Sequence, residues 1–260
     1  MPTLKLDLAN RADLEKKLNA INPSVIFNAA AYTAVDKAES EDGLAFEINA
    51  NAPAIFANYA KKHDIYLNHY STDYVFPGDN STPWSEDSQT APLGVYGESK
   101  LMGESSIEES GCKFMIFRTA WVFSSRGHNF LNTMLKLAQT HKELSIVDDQ
   151  VGSPTWAYSL ASASTQCLLN PEPGIYHMTN SGKTSWCGFA KKIFSQAKKL
   201  NLIDFILEVH PIGTKDYPTP AKRPEFSVLN CEKIKNTFNI TMPSWQTALL
   251  LCMQNLQKKP

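Results

Sequence analysis

Short apolar segments that end in turns or small residues alternate with helix-length segments through the first half of this 260-residue chain. Residues 65–71 are apolar and rich in aromatic side chains, and the turn-rich segment 72–78 follows them. Residues 25–31 end in small side chains, and residues 113–118 are a third apolar run. Strands that alternate with helical patterns indicate a parallel sheet covered by helices. The sequence therefore predicts an α/β fold whose ligands bind at the carboxyl ends of the strands.

The helical segments become less regular in the second half of the chain. Residues 34–62 form one predicted helical region, with acidic side chains early and lysines late, as the helix dipole prefers. Residues 129–140 have an amphipathic helical pattern. Beyond residue 171 we expect a strand at 174–178 and helices near 185–200, 231–238 and 244–256. We expect these later elements to form a smaller lid over the carboxyl edge of the sheet.

Composition excludes several classes of function. A formal net charge of −1 provides no basic field for nucleic acid, and no run reaches the roughly 18 apolar residues of a membrane span. The start of the chain lacks the apolar core of a signal peptide. The five cysteines are scattered and never form C-x-x-C, so we expect reduced thiols in a cytoplasmic enzyme. The six histidines show no paired zinc-binding motif, so we expect no protein-built metal site.

Tyr96 and Lys100 are the candidates for acid–base chemistry. They lie one helical turn apart in the segment Tyr-Gly-Glu-Ser-Lys. A free tyrosine has a pKa of about 10, and a nearby ammonium group favours the phenolate and lowers that pKa. The same spacing is common on solvated helix faces. The two residues alone therefore leave both interpretations open.

Six stretches of the chain carry a family resemblance, at residues 28–39, 70–78, 96–104, 117–122, 149–155 and 217–224. At these stretches the chain resembles the extended short-chain dehydrogenase/reductases, and within them the dTDP-4-dehydrorhamnose reductase family. The Tyr-x-x-x-Lys spacing is shared by the whole superfamily. The Ser-Thr-Asp-Tyr-Val-Phe and Pro-Thr-Pro-Ala-Lys-Arg-Pro blocks are more specific, and the resemblance covers nearly the whole chain.

The resemblance implies a Rossmann-like doubly wound parallel sheet. Residues 1–122 would form the NAD(P)-binding domain, and residues 123–260 a mainly substrate-binding region interleaved with it. The implied reaction is hydride transfer from NADPH or NADH to the C4 ketone of a dTDP-sugar, in deoxysugar synthesis for cell-surface polysaccharides. Some relatives form magnesium-linked dimers, so the resemblance also allows a homodimer and Mg²⁺.

The resemblance also assigns roles to individual residues. Tyr96 would deliver the proton, Lys100 would lower the Tyr96 pKa and hold the nicotinamide ribose, and Thr72 would orient the carbonyl oxygen. The sugar would be positioned by Thr72, Asp73 and Trp121. The cofactor cleft would be lined by Asp7, Leu8, Ala30, Ala31, Tyr32, Thr33, Tyr70 and Lys100.

Some of these residues have plainer alternatives. Asp73 alternatively caps its own turn, and Trp121 alternatively belongs to the core. We expect Asp36, Lys37 and Glu39 to be a solvated helix start. His69 is expected to be a strand residue satisfied by a hydrogen bond.

The residue at position 74 distinguishes two reactions within the superfamily. Sugar-nucleotide dehydratases carry Thr-Asp-Glu at this loop, and their glutamate abstracts a proton beside the ketone. This chain has Tyr74 instead, which favours simple reduction. The alternative function is a non-catalytic binding protein of the same fold, resembling the regulatory subunit of methionine adenosyltransferase.

The chain lacks one family feature, the glycine-rich turn that binds the cofactor pyrophosphate. No G-x-x-G-x-x-G occurs in it, and residues 1–8 resemble the family's third strand instead. The chain is therefore expected to begin about forty residues late. We expect weak dinucleotide binding and impaired reduction as a result, because that turn normally binds the pyrophosphate. We also expect a strand at residues 3–6 and an exposed strand edge at residues 25–31.

Overall fold

A computed structural model describes residues 5–257 of the chain. Its strands are β1 Val25–Asn28, β2 Tyr66–Thr72, β3 Lys113–Thr119, β4 Val122–Phe123, β5 Glu143–Val147, β6 Val151–Gly152, β7 Thr155–Trp156, β8 Gly174–His177, β9 Thr184–Ser185 and β10 Glu208–Ile212. Its α-helices are α1 Arg11–Ile21, α2 Val35–Ala38, α3 Asp42–Phe46, α4 Ala52–His63, α5 Val95–Ser110, α6 Phe130–Leu137, α7 Ala157–Cys167, α8 Trp186–Lys199, α9 Glu232–Phe238 and α10 Trp245–Gln257.

The main sheet has four parallel strands in the order β1-β2-β3-β8. The three apolar runs of the first half form β1, β2 and β3, as the sequence predicts. Asn28 is in register with His69, and His69 with Ile116, so the carboxyl ends of these strands lie at one edge of the sheet. Within residues 5–257, β1 pairs only with β2 and forms an edge of the sheet. Of the strand expected at residues 3–6, the first two residues lie outside the described residues, and Lys5 and Leu6 are not in a strand.

The helical region predicted at residues 34–62 is broken into α2, α3, a π-helical turn at Glu47–Asn51 and α4. Pro53 lies in the first turn of α4. It has no N–H to donate, and its ring excludes the carbonyl of residue 49 from a regular helical hydrogen bond. That carbonyl faces α5 instead, where a Cβ at Gly103 would lie 2.1 Å from the Asn49 oxygen. Glycine at position 103 therefore lets α5 approach the π-helical turn.

Each face of the main sheet has its own apolar cluster. One face packs against α1, α4 and α5, with a core that includes Leu14, Ile26, Phe56, Leu67, Ile107 and Ile116. The opposite face packs against α7 and α9, with a core that includes Met115, Phe117, Leu160, Ala163, Tyr176 and Ile234. Polar groups at the carboxyl ends of the strands are thus held between two helical layers.

The later part of the chain builds a further core from α6, α8 and α10, including Phe123, Leu131, Phe189, Ile193 and Leu249. Short sheets pair β5 with β10, β4 with β7 and β6 with β9. The chain crosses between the two parts, because β8 joins the main sheet and α7 and α9 pack against it. We retain the division near residue 122, with an interleaved second part, as a proposal.

The structure also bears on two expectations from the sequence, one about the cysteines and one about membrane-spanning helices. All five cysteines lie within the described residues and are free thiols. No helix in residues 5–257 is long and apolar enough to span a bilayer.

Candidate active site

Helix α5 carries Tyr96 and Lys100, and its first turn packs closely on the 3-10 turn Asp73–Val75 that follows β2. A Cβ at Gly97 would lie 2.3 Å from the Tyr74 carbonyl oxygen, so only glycine allows this approach. The amide of Val95 donates a hydrogen bond of 3.0 Å to Glu39 Oε1. Glu39 therefore satisfies a free amide of the first helical turn, and it is exposed, as the sequence predicted.

The hydroxyl of Thr72 connects the end of β2 to Tyr96. It hydrogen-bonds to the Tyr96 phenol, donates to Asp73 Oδ1 at 3.1 Å and accepts from the Tyr74 amide at 3.2 Å. Burial raises the pKa of Tyr96, and the bond from Thr72 opposes that rise. The phenol is therefore protonated at neutral pH and can act as an acid.

The pKa of Tyr96 departs from the sequence interpretation, in which Lys100 lowers it. The Lys100 ammonium group lies against β2, where Nζ donates to the Tyr70 carbonyl at 2.6 Å and contacts His69 Nε2 at 3.1 Å. Burial, rather than the charge of Lys100, dominates the environment of the phenol. A raised pKa suits a proton donor, since the donor must keep its proton until the transition state.

Lys100 itself is 2 % exposed. Burial lowers its pKa to about 8, and the carboxylate of Glu104, one turn further along α5, opposes this shift. Glu104 is held in turn by Arg118 of β3, with Nη2 to Oε2 at 2.6 Å. Lys100 is thus largely charged at neutral pH despite its burial, and the alternative of a solvated helix face is wrong.

Asp73 is a buried carboxyl group beside the acid. Burial raises its pKa to about 6, while hydrogen bonds from Ser227 and Thr72 hold that value down. Its backbone carbonyl accepts from the Phe76 amide at 3.1 Å. Asp73 therefore closes its own turn through the backbone and also presents a carboxyl group next to Thr72.

The loop after β1 contains the small residues that the sequence assigned to the cofactor cleft. Ala30 and Thr33 are exposed, and Ala31 and Tyr32 are half-buried. The buried side chain of Asn49 fixes this loop, because it accepts from the Tyr32 amide at 2.9 Å and donates to the Tyr32 carbonyl at 3.1 Å. Asn49 Nδ2 also lies 3.0 Å from Ser99 Oγ on α5. The loop and α5 are thereby connected at the carboxyl edge of the sheet.

Three other cofactor candidates lie in different surroundings. The Tyr70 phenol hydrogen-bonds to Ser164 Oγ of α7 at 2.6 Å, so only its carbonyl faces Lys100. Asp7 Oδ1 accepts from the Ala9 amide before α1. Leu8 packs against the apolar cluster between the main sheet and helices α1, α4 and α5. Their assignment to a cofactor cleft stays a prediction.

Trp121 is half-buried rather than a core residue. Its indole stacks on Trp186 with ring centroids 3.5 Å apart and an interplanar angle of 5°. A Cβ at Gly152 would lie 2.5 Å from the Trp121 ring, so glycine is needed beneath it. Trp121 has a positive φ of 47° and lies between the end of β3 and the start of β4. The sequence did not indicate Trp186 as its partner.

Trp186 lines a cavity of about 410 Å³ between α6, β5 and the loop at residues 217–223. Its wall is mostly apolar, with a few polar groups, and includes Phe130, Met134, Leu144, Gln150, Thr219 and Arg223. Apolar walls with few polar groups are typical of small-molecule sites of this volume. A second cavity, of about 420 Å³, is lined by Ser153, Thr179, Lys183 and Ile234, and none of the acid–base residues borders it.

Arg223 connects the first cavity to the acid–base residues. Its Nη2 donates to Asp36 Oδ2 at 2.7 Å, and its Nη1 donates to the Tyr74 hydroxyl at 3.3 Å. The Tyr74 ring packs edge-on against Tyr96, with centroids 5.5 Å apart. Asp36 was expected to be solvated; its side chain stays 39% exposed but is paired with Arg223. A charged residue inside a proline-rich loop was the signal available in the sequence for Arg223.

A trio of metal-ligating side chains occurs elsewhere, on the exposed β5–β10 sheet. Ligand atoms of Glu143, Glu208 and His210 lie within 4.8 Å of one another. His210 Nε2 is 3.1 Å from Glu143 Oε2. The contact between His210 and Glu143 explains why these side chains lie together without a bound ion.

The chain is similar to known proteins over almost all of its length. Residues 2–258 match the family model described as the RmlD substrate binding domain. The dTDP-4-dehydrorhamnose reductase of Escherichia coli K12 is 42% identical over 255 residues, covering 96% of this chain and 85% of that protein. The spore coat polysaccharide biosynthesis protein SpsK of Bacillus subtilis is 37% identical, covering 94% of this chain and 83% of that protein.

Solved structures agree with the sequence relatives. The dTDP-4-dehydrorhamnose reductase of Bacillus anthracis, in complex with NADP, has a TM-score of 0.90 and 36% identity, over 96% of this chain and 87% of that one. An orthologue from Clostridium acetobutylicum has a TM-score of 0.91 and 37% identity, over 97% and 88% of the two chains. The Rossmann-like fold is thus confirmed, and the chain belongs to the RmlD substrate-binding domain family.

Proposed function

We propose that this chain is an NAD(P)H-dependent oxidoreductase that reduces the C4 ketone of dTDP-4-dehydro-L-rhamnose to dTDP-L-rhamnose, in deoxysugar synthesis for cell-surface polysaccharides. The observation that carries this proposal is the hydrogen bond between Thr72 and a protonated Tyr96, beside the buried Lys100 at the carboxyl end of β2. The names of the relatives support the same reaction.

The residues of this chain account for the proton that the reaction needs. The reduced dinucleotide, when bound, supplies the hydride that adds to C4. Negative charge then develops on the carbonyl oxygen, and Tyr96 transfers its phenolic proton to that oxygen to give the alcohol. Thr72 holds the phenol, and its hydroxyl, which donates to Asp73 Oδ1 in this structure, would turn to donate to the same oxygen. The charged Lys100 stabilises the phenolate that Tyr96 becomes.

The geometry around Lys100 fits a nicotinamide dinucleotide. Within the described residues the ammonium group donates to one carbonyl and contacts one imidazole, which leaves a third N–H for a ribose hydroxyl. The loop after β1 is connected to the same helix through Asn49 and Ser99, and its small residues Ala30 and Thr33 are exposed. We assign the cofactor to this surface, with Asp7, Leu8, Ala31, Tyr32 and Tyr70 as further lining residues, and we assign no role to Mg²⁺.

We assign the dTDP-sugar to the cavity bordered by Trp186 and Arg223. Its volume of about 410 Å³ is in the range of small-molecule sites. Trp121, which stacks on the lining residue Trp186, and Asp73, which is hydrogen-bonded by Thr72, would position the sugar. We also propose a cytoplasmic location, consistent with five free thiols, and retain the homodimer as a proposal that sedimentation would test.

A catalytic role is favoured over a non-catalytic binding role, because the protonated Tyr96 is hydrogen-bonded to Thr72 and the charged Lys100 of the same helix lies against β2. Incubation of the purified chain with dTDP-4-dehydro-L-rhamnose and NADPH or NADH tests this. We expect dTDP-L-rhamnose to form in step with loss of reduced dinucleotide, but slowly and only at high dinucleotide concentration, because the sequence contains no glycine-rich turn to bind the pyrophosphate. Product formation no faster than without protein would contradict the proposal. Calorimetry with dTDP, with Trp186→Ala as the weakened variant, tests the substrate cavity separately from turnover.

A further inference from the structure

Three buried polar side chains form a continuous chain that ends at Lys100. The Asn28 amide on β1 lies 2.9 Å from His69 Nδ1, and His69 Nε2 on β2 lies 3.1 Å from Lys100 Nζ. His69 is completely buried, and Asn28 is nearly so. Burial lowers the pKa of His69 well below its ordinary value, and the charge of Lys100 lowers it further. The imidazole is therefore neutral, with one N–H donor and one acceptor.

The charge of Lys100 determines which nitrogen of His69 carries the proton. An ammonium group has only donors, so the nitrogen that faces it must be an acceptor. A neutral ring with its lone pair on Nε2 carries its proton on Nδ1. That proton needs an acceptor. The structure places Asn28 Nδ2 against Nδ1, so the amide must be turned over, with its oxygen facing the ring, to accept it.

The opposite pattern is self-consistent as well. When Lys100 is a neutral amine, its lone pair accepts from His69 Nε2–H, and the Asn28 amide donates from Nδ2 to Nδ1. Mixed patterns place two donors or two acceptors against each other in a buried site, which is costly. The chain therefore has two discrete arrangements, and the proton on Lys100 selects between them.

We propose that His69 is a positioning residue for the reduction: set in its Nδ1–H tautomer by Asn28, it accepts a hydrogen bond from Lys100 and holds the ammonium group charged and in place beside β2. This inference rests on the proposed function for its effect on catalysis, but not for the hydrogen-bond pattern itself. His69 acts through Lys100 and touches neither substrate nor cofactor in this account.

Other titratable and charged groups lie around Lys100 and must be held constant in any test. They come from its own helix, from β3 and from the turn after β2, and they are Tyr96, Glu104, Arg118 and Asp73. Glu104 favours the charged form of Lys100, and Arg118 is paired with Glu104. The variants below leave all four unchanged.

The chain offers a matched control on the same strand. Asn68 precedes His69 on β2, is completely buried and points to the other face of the sheet. Neither of its side-chain polar atoms has a hydrogen-bond partner among the described residues. Replacing such a group with an apolar one of similar size is neutral or stabilising. Asn68→Leu therefore changes a buried side chain of β2 without touching the Asn28–His69–Lys100 chain.

The first experiment reads the tautomer of His69 directly, without any turnover. Two-bond ¹H–¹⁵N correlation spectra of the ¹⁵N-labelled protein distinguish Nδ1–H from Nε2–H rings, and the signal of His69 is assigned by its loss in His69→Gln. We expect Nδ1–H well below the Lys100 pKa of about 8 and Nε2–H well above it. One unchanged tautomer across that range, or an imidazolium, would overturn the proposal.

The second experiment compares pH profiles of kcat/KM. A hydrogen bond to a charged group contributes about 1.5–3 kcal/mol, so His69→Leu should lower kcat/KM about 10- to 100-fold. The decline of kcat/KM on the alkaline side should occur at lower pH in His69→Leu, because the Lys100 ammonium group loses a hydrogen-bond acceptor. His69→Gln, whose side-chain oxygen reaches the position of Nε2, should recover most of the loss. Asn68→Leu should match the unchanged protein.

The outcomes separate positioning from a purely structural role. If His69→Leu loses thermal stability but keeps the pH profile, His69 is structural and the proposal is wrong. If the unchanged protein forms no dTDP-L-rhamnose, the proposed function fails, and the tautomer spectra still decide the hydrogen-bond pattern. If His69→Leu does not fold, the tautomer spectra of the unchanged protein and the pH profile of His69→Gln support or overturn the proposal without it.

Discussion

The hydroxyl of Thr72, at the end of β2, hydrogen-bonds to the phenol of Tyr96, near the start of α5. The pairing depends on Gly97, which lets α5 approach the turn after β2. Burial keeps the phenol protonated. The proton donor Tyr96 is thus carried by α5 and held in place by Thr72 of β2.

Removing the Thr72 hydroxyl should impair turnover more than folding. Thr72→Val keeps the shape of the side chain but loses the bonds to Tyr96 and Asp73. We expect kcat to fall roughly 10- to 100-fold, since the bond supports a developing charge. Thr72→Ser keeps the hydroxyl and should retain most of the rate. Equal rates for the two variants would show that the hydroxyl has no role.

Lys100→Met should lower activity while raising stability at neutral pH. The folded-state pKa of Lys100 is about 8, below its ordinary 10.5. Its contribution to stability is therefore present above the unfolded pKa and lost as pH falls through 8. We expect a gain of about 1–3 kcal/mol in the free energy of unfolding at pH 7, with weaker NAD(P)H binding by calorimetry.

The exposed lysine at the end of α4 provides the control for that measurement. Lys62→Met should change neither the unfolding free energy by more than about 0.5 kcal/mol nor the affinity for NAD(P)H. If Lys100→Met binds the dinucleotide as tightly as the Lys62 variant does, Lys100 has no part in the cofactor site.

Asp73→Asn should stabilise the protein at neutral pH and not in acid. The folded-state pKa of Asp73 is raised from 3.8 to about 6, so its stabilising contribution is present below 3.8 and lost as pH rises through about 6. We expect Asp73→Asn to be more stable by about 1–3 kcal/mol at pH 7, measured by denaturant unfolding across pH. A difference that does not vary with pH would contradict the shift.

Gly97→Ala tests the approach of α5 to the turn after β2. The added Cβ would meet the Tyr74 carbonyl oxygen at 2.3 Å, so the helix must shift, at a cost of about 1–3 kcal/mol. We expect lower thermal stability together with lower kcat. Gly43→Ala in α3 is the control: no described atom lies within 4 Å of its added Cβ, and alanine favours helix by about 1 kcal/mol. Stability that rises equally in both variants would exclude the close approach.

The strands and the pairing of Tyr96 with Lys100 on one helix were accessible from the sequence, because apolar runs and i,i+4 spacing are local patterns. The π-helical turn at Glu47–Asn51 within the predicted helix 34–62 has a local cause as well, Pro53. The Arg223–Asp36 pair was not accessible, since its members lie 187 positions apart and meet only in the folded chain. The stacking of Trp121 on Trp186 is long-range for the same reason.

The direction of the Tyr96 pKa shift also required the structure. Helical spacing predicted that Lys100 would dominate, whereas burial of the phenol dominates and the ammonium group is engaged by Tyr70 and His69. Burial depends on every element packed around a group, so spacing within one helix does not determine it.

Turnover of Tyr96→Phe with dTDP-4-dehydro-L-rhamnose tests the central claim most directly. The substitution keeps the ring and removes the proton that the ketone oxygen must receive. We predict that kcat falls by about 10²-fold or more, with unchanged thermal stability and with dTDP and NAD(P)H affinities, measured by calorimetry, equal to those of the unchanged protein. A Tyr96→Phe protein that is folded, binds both ligands and reduces the sugar at a near-normal rate would contradict the assignment of Tyr96 as the proton donor.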